Sequence, residues 1–318
     1  MHSSLSFALD TSVPQTDKYR GVCAVIVSFQ PDLQKLKQLI EALQPQVDDI
    51  ILVDNGSDAD IVAWTKCLSN ISALHVYCLG LNVGIAAAQN LGLKKVSDLL
   101  SSYVIFFDQD SCPAPDMIQQ LLRVLIERQK NGEKIASVGP RFIDDRLDNP
   151  PPFVRIRGVK YERQPCISSH AVVLVDYLIA SGCLVPMSTF AAVGTMQEEL
   201  FIDYVDIEWG LRAKSQGFVS YGVCAAHMYH NLGDKPIAFA GKYYPARSAI
   251  RHYYMFRNAV WMYRQPWLSL NWKIADGWRL LLKYGFYLLF DKPRSLSWKM
   301  IHKGLWHGCI RRMGKIND

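Results

Sequence analysis

The 318-residue chain reads as an α/β protein: a mostly parallel, Rossmann-like sheet flanked by helices, with a helical extension at its C-terminal end. Three observations predict this. Short apolar runs alternate with amphipathic stretches from residue 21 to residue 140. A strand of a parallel sheet is buried on both faces and is apolar throughout, whereas the helices that cover it need only one apolar side. Half of the residues are hydrophobic and 20% are charged, which suits a buried core and excludes disordered and fibrous classes. No run is long enough to span a bilayer, since the best candidate, residues 280–290, is short and interrupted by Lys283.

Residues 1–20 are polar, lack the charged-then-apolar pattern of an export signal, and are expected to form a flexible lead-in. Residues 23–27 read as a buried strand, followed by a helix over 32–43 in which Leu33, Leu36, Ile40 and Leu43 recur at spacings of three or four. The same alternation gives strands at 50–53, 74–79, 103–107 and 135–138 and helices at 58–68, 85–96 and 115–128, the last opened by Pro115. Residues 141–164, rich in Pro, Arg and Asp, read as a loop. Residues 171–179 and 218–225 read as strands and 201–216 as a helix carrying Asp203 and Asp206 on one face. From Tyr243 the chain looks helical, broken by Pro266 and Pro293.

Eight cysteines are spread evenly without a C-x-x-C pair, a pattern expected of reduced, buried thiols in a cytosolic protein. The net charge of +6 is uneven. Residues 264–318 carry eleven Lys or Arg against three acidic residues, so residues 1–263 are slightly acidic. With Trp267, Trp272, Trp278, Trp298 and Trp306 beside those cations, the C-terminal region is expected to lie against an anionic membrane surface. No nucleic-acid recognition motif accompanies the charge.

In open α/β sheets, ligands bind beyond the carboxyl ends of the strands. Those ends carry Ser28, then Asp54-Asn-Gly-Ser57, then Asn82-Val-Gly84, then Asp108-Gln-Asp110. A single acidic residue there is commonly a turn former or helix cap, but four polar strand ends on one edge point to a ligand site. The two carboxylates of Asp108-Gln-Asp110 suit one hard divalent cation with phosphate oxygens as its other ligands.

Taken in order, Val25-Ile-Val-Ser-Phe29, Ile51-Leu-Val-Asp-Asn-Gly-Ser57, Leu81-Asn-Val-Gly-Ile-Ala-Ala-Ala-Gln-Asn90 and Phe107-Asp-Gln-Asp-Ser111 resemble the successive motifs of the family 2 inverting glycosyltransferases with the GT-A fold. Ala180-Ser-Gly182, Phe201-Ile-Asp-Tyr-Val-Asp-Ile-Glu-Trp209 and His230-Asn-Leu-Gly-Asp234 are similar to the bacterial rhamnosyltransferase branch of that family. The resemblance implies a transferase domain over 21–263, with a nucleotide-sugar part at 21–140 and an acceptor part at 141–263, followed by the basic helical region 264–318. It implies that Ser28 and Asp54 contact base and ribose, that Asn82, Gly84 and Asn90 shape the nucleotide-sugar pocket, and that Asp108 faces the ribose and the metal. Asp110, with Asp108 and His230, would hold Mg²⁺ or Mn²⁺, Asp206 would be the general base, and Arg257 would meet the donor pyrophosphate. Gly182 and Asp203 would border the acceptor, and Glu208 would pair with Arg212.

Two departures stand out, Gln89 where many members carry Arg and Val205 where many carry Glu. The donor implied is dTDP-L-rhamnose, with a UDP-hexose or UDP-galactofuranose as alternatives. The acceptor implied is a lipid-linked glycan of O-antigen or another surface polysaccharide, met at the cytoplasmic face of the membrane. A sugar nucleotidyltransferase is the rival reading, but it would carry a Gly-rich basic loop where this chain has Ser28-Phe-Gln-Pro-Asp32. A non-catalytic membrane scaffold is the other, against which stand intact Asp108, Asp110 and Asp206.

Overall fold

Every residue of β1 (Val22–Ser28) is buried. Val22, Ala24 and Ile26 enter one apolar layer and Cys23, Val25 and Val27 the other, as the two-residue repeat of a strand covered on both faces requires. The computed structural model describes residues 21–68, 71, 73–143, 153–230, 237–239, 242–244, 248–291 and 293–316, with backbone alone for His230, 237–239 and 242–244; the expected lead-in at 1–20 lies outside them. After β1 come α1 (Leu33–Leu43), β2 (Asp49–Asp54), α2 (Ile61–Lys66), β3 (Leu74–Cys78), α3 (Ile85–Asp98), β4 (Tyr103–Asp108), β5 (Ser111–Pro113), α4 (Met117–Lys130) and β6 (Ile135–Ile143). The start of α1 is fixed by Asp32, whose carboxylate accepts from the N–H groups of Gln34 and Lys35.

Next comes a hairpin, β7 (Phe153–Arg157) and β8 (Lys160–Gln164), where composition predicts a loop. Its strands are half-buried, and the two-residue alternation of Val154 and Ile156 is too short to stand out beside the Pro-rich run before it. Then follow β9 (Val172–Val175), β10 (Leu184–Pro186), α5 (Met187–Val193), a short 3₁₀ turn at Glu198–Leu200, α6 (Val205–Ser215), β11 (Val219–His230), β12 (Ile237–Phe239) and β13 (Lys242–Tyr244). The main sheet runs β3-β2-β1-β4-β10-β6-β11-β5, with β9 also on β11. Pairings β3-β2, β2-β1, β1-β4 and β6-β11 are parallel, whereas β10, β5 and β9 join antiparallel. The strand register sets Ser28 beside Asp54 and Val27 beside Asp108, so three polar strand ends share one edge.

The C-terminal helices α7 (Ala249–Tyr263), α8 (Leu270–Phe290) and α9 (Arg294–Cys309) build a separate apolar layer around Phe256, Met262, Trp272 and Ile301. Helix α9 lies hard against α7. A Cβ on Gly304 would stand 2.4 Å from the Tyr253 carbonyl oxygen, and one on Gly308 would stand 2.8 Å from that of Arg257. The expectation of uniformly reduced, buried thiols is corrected: Cys166 and Cys224 form a disulfide, and Cys67, Cys78, Cys112 and Cys309 are exposed. The pairing of β9 with β11 brings the loop before β9 alongside Cys224, a juxtaposition made by tertiary structure across 58 residues of chain.

Candidate active site

The polar strand ends are built into one hydrogen-bonded edge. Asp54, at the end of β2, accepts from the Ser28 hydroxyl (3.0 Å), the Ser57 hydroxyl (2.5 Å) and the N–H groups of Gly56 (3.2 Å) and Ser57 (2.9 Å), which satisfies a nearly fully buried carboxylate. Ser28 is itself buried, so the pair forms the floor of the edge. Asn55 donates to Asn82 (3.2 Å) and accepts from the Val83 N–H (2.9 Å), while Asn82 accepts from the Gly84 N–H (3.0 Å). Gly84 has φ +93°, and a Cβ there would stand 2.6 Å from the Phe201 ring, so only glycine admits the turn that opens α3. Asn90 is a brace rather than a pocket wall: its amide closes two bonds with the backbone of Met196 and a third with Glu198, fixing the approach to the 3₁₀ turn.

At the end of β4, Gln109 accepts from the Phe29 N–H (2.7 Å) and donates to the Phe29 carbonyl (3.2 Å), stapling the Asp108-Gln-Asp110 turn to β1. The Asp108 N–H donates to the Ser181 hydroxyl (3.2 Å), which bonds the Ser111 hydroxyl (2.7 Å). Asp108 and Asp110 are half-buried and supply hard oxygen donors, the chemistry a divalent cation carrying phosphate ligands requires. Among the described residues no group of three His, Cys, Asp or Glu side chains could by itself hold a metal. The backbone of His230 pairs with Ser111, one position from Asp110; its side chain lies outside the described residues.

Asp206 lies in the first turn of α6. Burial raises its carboxyl to about 6; the N–H groups of Ile207 and Ala180 work in the opposite direction, and the negative charge of Asp108 adds to the rise. A carboxylate poised there can take a proton near neutral pH. Asp203 does not share its helical face. The helix begins only at Val205, and Phe201, Asp203 and Tyr204 have φ of +64°, +64° and +66°. Three residues of one short loop with positive φ store strain that the surroundings must hold. Asp203 instead grips the guanidinium of Arg251 through two bonds of 2.7 and 2.8 Å.

Arg257 corrects a sequence expectation. It is fully buried in α7 and donates to the carbonyls of Glu199 (3.2 Å), Leu200 (2.9 Å) and Gly314 (2.5 Å), so its guanidinium is engaged by backbone rather than open to a ligand. Its neighbour Asn258 donates to the carbonyls of Leu200 (2.9 Å), Ile202 (2.8 Å) and Asp203 (2.8 Å). Non-helical backbone leaves these carbonyls without intrahelical partners, and the Arg-Asn pair supplies the donors. Among the described residues, a cation within the field of Asp108 and Asp206 is Arg251. It is 40% exposed on its side chain, and although burial works against its charge, Asp203, Asp108 and Asp206 together raise its pKa. Arg251 and Arg257 are six residues apart on α7, about 120° around the helix, so one of them turns inward when the other faces the site. Sequence reasoning missed Arg251 because nothing in the local pattern says which of the two does so.

Gly182 is buried rather than open to an acceptor. It has φ +73°, and a Cβ would meet Pro140 at 2.6 Å, so its glycine answers to backbone geometry and packing. The Glu208–Arg212 pair forms as the spacing predicts, at 2.7 and 3.0 Å.

The mostly parallel sheet flanked by helices is the fold of the GT-A-type glycosyltransferases, and solved structures with that fold superpose on the chain. Staphylococcus aureus TarS, residues 1–349, matches with a TM-score of 0.57 and 12% identity over 92% of this chain and 81% of that one. GalNAc-T7, solved with UDP, GalNAc and Mn²⁺, matches with a TM-score of 0.55 and 12% identity; 87% of this chain aligns, spanning 59% of that structure. The family model Glycosyl transferase family 2 matches residues 23–172. The dTDP-rhamnosyl transferase RfbF of Shigella flexneri is 34% identical over 258 residues, 80% of this chain and 84% of its own length. The chain belongs to glycosyltransferase family 2.

Proposed function

We propose that this glycosyltransferase moves L-rhamnose from dTDP-L-rhamnose, with inversion, onto a lipid-linked glycan in the assembly of O-antigen or another bacterial surface polysaccharide, working at the inner face of the membrane. The observation that carries the chemistry is Asp206, a carboxyl raised to about 6 within the field of Asp108. The acceptor hydroxyl gives its proton to Asp206 as its oxygen bonds the anomeric carbon and the bond to the pyrophosphate oxygen breaks on the opposite face. Mg²⁺ or Mn²⁺, held by Asp108 and Asp110, would neutralise charge on the leaving diphosphate. The nucleotide lies along the edge of Ser28, Asp54, Asn82 and Gly84, and Arg251 offers a planar cation beside Asp203 where the acceptor approaches. The identity of the sugar is supported by the 34% identical relative, whose name specifies a dTDP-rhamnosyl transferase.

A donor screen tests this. Purified protein with Mg²⁺ or Mn²⁺ is offered dTDP-L-rhamnose, UDP-glucose, UDP-galactose, UDP-galactofuranose and GDP-mannose, and metal-dependent binding and slow hydrolysis are read. Selective use of dTDP-L-rhamnose is expected; preference for another donor would overturn the rhamnosyl assignment and leave the chemistry standing.

A further inference from the structure

Helix α8 presents its exposed apolar side chains in a single stripe. Leu270, Ile274, Trp278, Leu281, Leu282 and Leu289 are 49–68% exposed. At 3.6 residues per turn their spacing sets all six within an arc of about 120°. The opposite side of the same helix buries Trp272, Asp276, Leu280 and Tyr287. Helix α9 adds Trp298 and Trp306, and Ile310 follows at its C-cap, each at least half exposed, on the side that also carries Lys299 and Lys303. An exposed apolar stripe of this length along one helix marks an interaction site.

Charge decides what the partner is. The acidic residues of α8 and of the link to α9 are Asp276 and Asp291, and both point inward. Asp276 accepts from the hydroxyls of Tyr161 (3.1 Å), Tyr204 (2.7 Å) and Tyr263 (2.8 Å); Asp291 accepts from Ser297 (2.5 Å) and pairs with His252 (2.9 Å). Among the described residues the outer surface of α8 and α9 therefore shows no carboxylate, while Arg279, Arg294 and Lys299 are exposed on it. A second copy of the chain would bring like charges together. No helix among the described residues is long and apolar enough to cross a membrane. An apolar stripe with a purely cationic border matches a surface that is anionic outside and apolar beneath.

We infer that α8 lies in the headgroup region of an anionic bilayer with this stripe turned to the acyl chains, α9 adding its tryptophans and lysines. The inference deepens the proposed function and rests on that reading for the lipid-borne acceptor. Asp276, on the inner side of α8, holds the hydroxyl of Tyr204, the residue that opens α6 two positions before Asp206. The docking helix is thereby joined through one hydrogen bond to the segment that carries the base.

Flotation of the full chain with vesicles of phosphatidylcholine and phosphatidylglycerol in equal parts, against phosphatidylcholine alone, tests it. Wild type is expected to float with the mixed vesicles at low salt and to leave them as salt rises. The exposed-site double variant Trp278→Glu/Leu282→Glu is expected to lower partitioning at least tenfold. Lys299→Glu/Lys303→Glu is expected to lower it on the mixed vesicles alone. Failure of wild type to float, or flotation of Trp278→Glu/Leu282→Glu at the wild-type level, overturns the inference. So does a wild-type dimer that this variant dissolves, which would give the stripe to a second copy. Hydrolysis of dTDP-L-rhamnose in solution, read on the same samples, reports on the transferase reading separately.

Discussion

Replacing Asp206 by Asn separates its chemical role from its structural cost. A carboxyl raised from 3.8 to about 6 by burial is a group the fold holds against its tendency to ionise. The sign follows from proton binding: between those two values the folded state binds more protons than the unfolded state, so stability falls as pH rises through this window. At about 1.4 kcal/mol per pKa unit, the ionised carboxylate costs the apo protein up to about 3 kcal/mol at pH 7 and nothing below pH 4. Asn cannot ionise and escapes this term, although its amide leaves one of the N–H groups of Ile207 and Ala180 less well satisfied, a loss that does not vary with pH. Denaturant melts of wild type and Asp206→Asn at a series of pH values, read with turnover, check the prediction. The stability difference should move in favour of Asp206→Asn by roughly 2–3 kcal/mol between pH 4 and pH 7. Transfer should fall at least about a thousandfold with donor binding retained. A pH-independent difference, or substantial turnover by the variant, would refute the argument.

Wild-type kcat/KM should lose activity as pH falls through about 6, because the base must be ionised; an acid limb near 4 would show that burial does not act on Asp206 in the working enzyme. Asn258→Ala removes the amide NH2 group shared by the carbonyls of Leu200, Ile202 and Asp203 and should lower kcat at least tenfold with donor Kd within about twofold, measured by isothermal titration. Arg251→Gln leaves Asp203 without its bidentate partner and should raise the acceptor KM more than the donor KM in steady-state kinetics. Reducing Cys166–Cys224 opens a link across 58 residues and should cost about 2–4 kcal/mol in denaturant melts, with no effect expected from reduction in Cys166→Ser/Cys224→Ser.

The first half of the fold was legible because its information is local. Continuous apolar runs such as residues 23–27 and 50–53 announce strands buried on both faces, and the polar residues that close them announce the edge where a ligand sits. The antiparallel insertions β5 and β10 were not legible. Each is three residues long, and what makes them strands is the neighbour they pair with, β11 in one case and β4 in the other. The same reason hid the Cys166–Cys224 link. At the site, strand-end residues could be read from order and spacing, but the division of labour between Arg251 and Arg257 could not, because it depends on how α7 is rotated against the 199–204 loop.

That loop explains why the region around Asp206 departs most from the pattern expected of it. A helix running from residue 201 would set Asp203 and Asp206 on one face as two solvated charges. Instead the backbone takes positive φ at residues 201, 203 and 204, each costing about 1–3 kcal/mol for a residue with a Cβ. Asn258 and Arg257 offset that strain with donors aimed at the carbonyls it exposes, and Tyr204 is tied to α8 through Asp276. Delaying the helix until Val205 puts Asp206 in its first turn, where free N–H groups favour the ionised carboxylate. Burial and Asp108 push the other way, and the balance lies near 6, as the proposed role of a base at neutral pH requires. The C-terminal helices thus help to shape this loop: α7 supplies Arg257 and Asn258, α8 supplies Asp276, and from the other side the Ile85 N–H of α3 holds the Phe201 carbonyl.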